Sequence, residues 1–114
     1  MEMVEIRRMR IPQDLANLLA CTIRDVIWYK RNIRKFFANC GVPEYIMLEV
    51  DKMLNDTPTV KIVHFVLDRL AEKDKEGDQI VRKILTDMYY WKDILSIPDD
   101  RKDKAIASLK ELQK

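Results

Sequence analysis

Histidine, cysteine, glycine and proline are all scarce in this chain of 114 residues, and each scarcity removes a class of function. One histidine, His64, and two cysteines, Cys21 and Cys40, cannot supply the ligand set of a structural zinc site. The cysteines form no CxxC pair. A disulfide between them stays open in principle, but a buried free thiol is the favoured state. With only Gly41 and Gly77, no glycine-rich loop is left to cradle phosphates, and no GxSxG nucleophile elbow occurs. The apolar runs are a few residues long, far short of the ~20 that cross a bilayer. The start of the chain lacks the charged, apolar and small-residue order of a signal peptide. These absences predict a cytoplasmic protein with no membrane partner and no cofactor or metal.

What remains is 47% hydrophobic and 35% charged, the composition of a globular helical protein. The length holds one domain, 1–114, with one core. Few glycines and prolines imply long elements joined by short connections. The net charge of +2 is unevenly spread. Residues 1–42 carry eight basic against four acidic side chains, whereas residues 43–76 carry five against eight. A basic front therefore precedes an acidic middle.

Hydrophobic spacing predicts an all-α bundle of about five helices. Residues 1–11 show no clean period and read as a lead-in arm. From Pro12, in the first turn, apolar residues recur at three- and four-residue steps from Leu15 to Cys40, one helical face. A run of nearly 30 residues is long for a globular helix, and a kink or break near Cys21 to Arg24 would shorten it. Gly41 stops it and Pro43 prevents its resumption. A second helix spans Pro43 to Leu54, with Tyr45, Met47, Leu48, Val50, Met53 and Leu54 as its apolar set. Thr57 is placed to cap a third helix, with Pro58 at its first position, running to about Lys75. Gly77 then reads as a stop and Asp78 as the cap of a fourth helix, Gln79 to about Leu95. Asp99 or Asp100 caps the last helix, 100–114, whose narrow stripe of Ala105, Ile106, Leu109 and Leu112 suits it to lead into a downstream domain.

Catalytic arrangements are thin. His64 has Lys61 and Asp68 as helical neighbours, yet it sits between Val63 and Phe65 in an apolar run, which favours a structural or surface role. The HEPN ribonuclease motif needs an arginine a few residues before the histidine, and residues 55–63 contain none. Carboxylates interleave with lysine and arginine at helical steps, as solvated faces do. Asp99-Asp100-Arg101-Lys102-Asp103 lacks the glycine and spaced glutamate of a calcium loop. The chain reads as no enzyme.

Two clusters are candidates for recognition instead. Arg24, Trp28, Arg31 and Lys35 share one face if the first helix is continuous, and aromatics interleaved with cations suit nucleic-acid contact as well as an ordinary solvated face. Tyr89, Tyr90 and Trp91 are consecutive, so they cannot all face inward on one helix. One of them at least is exposed, either at the rim of the core or as a partner-binding hot spot.

The stretch Tyr29-Lys30, with Ile33 through Pro43 and its continuations Val60 to Lys73 and Ile80 to Leu85, resembles the small helical death-like, or effector-associated, domains at the front of bacterial antiphage defence proteins. The resemblance covers roughly residues 26 to 95; the long first helix and the closing helix lie outside it. It implies a non-catalytic module that acts by homotypic contacts between copies. The basic front and acidic middle, with Glu72 and Asp74 as the acidic partners, would support head-to-tail association. The expectation is a protein-interaction domain that binds itself or an effector. A helical nucleic-acid-binding accessory protein, using the basic first helix, is the alternative.

Overall fold

The computed structural model describes residues 12–27, 29–91 and 97–112, apart from the side chain of Asp74. Among the described residues six α-helices run in order: α1 (Gln13–Val26), α2 (Lys30–Asn39), α3 (Glu44–Met53), α4 (Thr59–Ala71), α5 (Asp74–Tyr89) and α6 (Lys102–Leu112). A 3-10 turn, Asp99–Arg101, leads into α6. No strand occurs among the described residues. The all-α bundle is as the periodicity predicts, and the lead-in arm lies outside the described residues.

The four prolines organise the connections. Pro12, Pro43, Pro58 and Pro98 each stand just before a helical element, with φ between −55° and −60° and ψ between 143° and 150°. For Pro12, Pro43 and Pro58 this is one residue earlier than their expected place at the start of the helix. The ring fixes φ near the helical value while the extended ψ turns the chain into the helix. Each proline carbonyl then accepts from the first turn, as in Ala16 N–H to Pro12 O at 2.9 Å and Ile62 N–H to Pro58 O at 3.2 Å. Thr57 does not cap α4; its hydroxyl donates to Asp56 Oδ1 instead.

Gly41 ends α2 as expected. Its φ of +95° is a conformation that disfavours a side chain. The Gly41 N–H donates to Ala38 O at 3.1 Å and the Val42 N–H to Phe37 O at 3.2 Å. These two bonds, with Val42 and Phe37 both buried, make a Schellman stop.

Three boundaries differ from expectation. The first apolar run divides at Ile27 to Tyr29, later than Cys21 to Arg24, with Ile27 (φ −106°, ψ 100°) and Tyr29 (φ −92°, ψ 133°) extended. Gly77 does not stop a helix. The chain turns at Glu72 and Lys73, and α5 begins at Asp74, so Gly77 lies in its first turn, buried. Finally, α5 ends at Tyr89 rather than near Leu95, which is outside the described residues.

One apolar core draws on every helix, with Leu19, Ile23, Ile33, Phe37, Ile46, Met47, Ile62, Leu70, Ile84 and Met88 among its fully buried side chains. Each such burial is worth about 1.5–3 kcal/mol before entropy is counted. Helix α1 is central: it packs most extensively on α6 and α4 and also touches α5. The α2–α3 pair joins this body where α3 packs on α4 and where Cys40, at the end of α2, meets Asp87 of α5. On α3 the core takes Ile46, Met47 and Val50, leaving Tyr45 and Leu48 exposed, contrary to the expected apolar set. Ile106 likewise sits at the surface of α6.

Candidate interaction surface

Of the groups with chemical potential, Cys40 is engaged within the fold. Cys40 is buried and its thiol donates to Asp87 Oδ2 at 3.5 Å. Burial first, and the Asp87 charge second, push its pKa up to about 12, so the nucleophilic thiolate is suppressed at neutral pH. Cys21 is a second free cysteine, half-buried. His64 is half-buried on α4, and neither Lys61 nor Asp68 bonds to it. Among the described residues, no group of three or more His, Cys, Asp or Glu could hold a metal ion, and no helix is long and apolar enough to cross a membrane.

A buried carboxylate escaped the sequence reading. Asp25 is 2% exposed at the junction of α1 and α6. Its Oδ2 accepts from the Ser108 hydroxyl at 2.5 Å, and its Oδ1 from Arg24 Nε at 3.1 Å, with Lys104 Nζ 3.9 Å away. Thr22, fully buried beside it, donates to Leu18 O at 2.7 Å. Asp25 follows an arginine, as many solvated carboxylates do, so spacing alone gave no signal. The Asp25–Ser108 bond acts as a polar clasp between α1 and α6.

The basic residues do not lie on one continuous helix. The break after Val26 leaves Arg24 on α1 and places Arg31 and Lys35 on α2; Trp28 lies outside the described residues. Arg24 is engaged by Asp25, which raises its pKa by hydrogen bonding. Arg34 bridges to Asp51 at 2.5 Å and Glu44 at 3.8 Å, and Lys30 Nζ donates to Thr57 O. Arg31 and Lys35 remain exposed, with the Arg31 guanidinium 5.8 Å from the ring centre of the half-exposed Tyr29. The acidic middle is paired in place as well: Glu49 with Lys52, Glu72 with Arg69, and Glu76 with Lys73, all at 3.5–4.0 Å. Glu72 is thus exposed but engaged, and the Asp74 side chain is outside the description. Long-range attraction between a basic front and an acidic middle is weakened accordingly.

The aromatic triplet is divided by the end of α5. Trp91 turns inward to meet Phe36 edge-on, with ring centres 5.9 Å apart. Tyr89 and Tyr90 stay outside, 40% and 64% exposed, in a T-shaped pair with centres 4.8 Å apart. With Leu85 and Thr86 they line an open depression of about 270 Å³.

A second aromatic surface was missed. The exposed Tyr45 and Leu48 lie one turn apart on α3. The Arg69 guanidinium of α4 sits 5.9 Å from the Tyr45 ring centre and 5.7 Å from that of Phe65, and Lys73 Nζ is 5.2 Å from Tyr45. Hydrogen bonding to Tyr45 raises the Lys73 pKa. Tyr-Ile-Met-Leu is an unbroken apolar run, so at least one of its members must face out, but periodicity alone does not say which.

No protein-family model matches the chain, and no curated protein or solved structure matches it.

Proposed function

We propose that this chain is a non-catalytic protein-interaction domain, an adaptor or oligomerisation module. By its resemblance to death-like domains we place it at the front of a bacterial antiphage defence protein. The observation that carries the reading is the Tyr89–Tyr90 pair, two exposed aromatics locked edge-to-face beside a shallow apolar depression. Tyrosine in such a setting offers a large contact area at little loss of side-chain freedom, which is why it dominates binding hot spots. The inert Cys40 thiol and the unassisted His64 are compatible with a role that needs no reactive group. Nucleic-acid binding is the rival reading, favoured by the Arg31–Tyr29 stack and the neighbouring Lys35.

The test places a photo-crosslinking phenylalanine at position 90, with a control at the exposed Asp103, in cells carrying the full reading frame. Discrete protein adducts at position 90 that are absent at 103 and lost in a Tyr89→Ala background are expected. An absence of protein adducts, together with salt-sensitive binding of DNA or RNA that Arg31→Glu and Lys35→Glu abolish, would replace the reading with its rival.

A further inference from the structure

We infer that α6 is a releasable strap, which swings away from α1 about the Asp99–Arg101 turn and uncovers Thr22 and Asp25 while α1 to α5 stay folded. This device is independent of the Tyr89–Tyr90 surface and of any partner there.

Apolar contacts hold α6 only lightly. Helix α4 buries Ile62, Val63, Val66, Leu67 and Leu70, whereas α6 buries Ala105 and Leu109, with Leu112 partly buried against the core. Apolar stabilisation scales with the area removed from water, so one methyl group and one leucine are a weak anchor for a helix.

The rest of the hold is polar. Thr22 and Asp25 are the two buried polar residues among those described, and both meet Ser108 of α6. The Ser108 hydroxyl donates to Asp25 Oδ2 at 2.5 Å. The Thr22 hydroxyl, which donates to Leu18 O, also lies 3.4 Å from Ser108 O. Lys104 Nζ of α6 stands 3.9 Å from Asp25 Oδ1. Buried polarity is thus gathered along one seam, and a seam of this kind parts more easily than an apolar one. Opening returns the Asp25 carboxylate to water, and its recovered hydration offsets the bonds that are lost. The Thr22 bond to Leu18 O lies within α1, so it is kept in both states. An apolar seam of equal area has no such offset.

The root of α6 supplies the pivot. Ile97, 2% exposed, is fixed in the core. Beyond it, Pro98 and a single 3-10 turn, closed by Arg101 N–H to Pro98 O at 2.9 Å, lead into α6. Asp99 and Asp100 in that turn are exposed, and short 3-10 segments beside a helix often mark hinges. Rotation there carries α6 away without moving Ile97. On α1, Leu15, Leu18, Thr22 and Asp25 recur at three- and four-residue steps and share the face that Ser108 meets. The open state presents on this face a carboxylate and a hydroxyl that the closed state hides.

Amide hydrogen exchange on the full chain, followed by NMR at rising but sub-denaturing urea, tests the strap. The amides of Ser108 and Leu109 are expected to exchange at least about a hundredfold faster than those of Val66 and Leu67 in α4. Their rates should respond weakly to urea, because releasing one helix exposes little surface, whereas α4 should follow the full slope of global unfolding. Protection or urea dependence in α6 that matches α4 would overturn the inference. Ser108→Ala removes the latch and should speed α6 exchange at least about tenfold with the helical circular dichroism retained. An unchanged α6 rate, or collapse of the whole fold, would also overturn it. Leu67→Ala separates the strap from the core. It should speed α4 exchange at least about thirtyfold and leave α6 within about twofold, because the open and closed states both keep the α4 packing. Rates in α6 that rise in step with those of α4 would show one indivisible unit and no strap.

Discussion

A methyl group on Gly77 would lie 1.8 Å from the Leu70 carbonyl oxygen and 3.1 Å from Lys73 Cβ. The first of these is backbone, which cannot rotate aside. Alanine is ordinarily the better helix former by about 1 kcal/mol, so the sign of Gly77→Ala reports which effect wins. The end of α4 and the start of α5 would have to separate, and overpacking of this kind costs about 1–3 kcal/mol. A net loss in urea denaturation is expected, and a gain would mean the two helices part freely. The two glycines show how far single residues can be read. Gly41, followed by a buried valine and a proline, carries a complete stop signal. Gly77 has the same identity and a different cause, a close approach of two helices that only the folded chain reveals. Tyr45 and Leu48 were misassigned for a related reason: four consecutive apolar residues carry no phase, so the choice of Ile46 and Met47 for the core is made by α4 and its neighbours.

At the scale of elements, the prolines and Gly41 made most boundaries legible, because each acts on the backbone locally. The break between α1 and α2 has no such residue. Ile27 is 4% exposed there, so the chain leaves the helix while keeping an apolar side chain in the core, a solution that tertiary packing dictates. The clasp between α1 and α6 is similarly non-local, since Asp25 and Ser108 are 83 positions apart. A hydrogen bond to a buried carboxylate contributes about 1.5–3 kcal/mol, and loss of either partner strands the other. Asp25→Ala and Ser108→Ala should each destabilise the fold. The double variant should be more stable than the sum of the two losses predicts, by at least about 0.5 kcal/mol, the mark of residues in direct contact. Strict additivity in the double-mutant cycle would show that the clasp does not hold α6 in place.

For the molecule as a whole, one apolar cluster joins every described helix, and α1 is the hub on which α4, α5 and α6 converge. The core was therefore largely legible as a set of helical stripes, while the arrangement of those stripes around α1 was not. The candidate surfaces were legible in part. Counting required at least one of Tyr89, Tyr90 and Trp91 to face out, the supposed basic face required a continuous helix, and the acids Glu49, Glu72 and Glu76 meet bases three positions away, a spacing the sequence itself displays. A single core also has a thermodynamic consequence. Leu67 on α4 is 7% exposed and Ile84 on α5 is 0% exposed, so truncating either one opens a cavity in the same cluster. Leu67→Ala and Ile84→Ala should each cost about 2–5 kcal/mol. If α4 and α5 belong to one cooperative unit, both variants should move the urea midpoint downward with the slope unchanged, because the surface exposed on unfolding is the same. A second transition, or a change of slope in only one variant, would divide the bundle into separately melting parts. Losses within about 0.5 kcal/mol at both positions, the range of ordinary surface changes, would contradict the burial of these two faces.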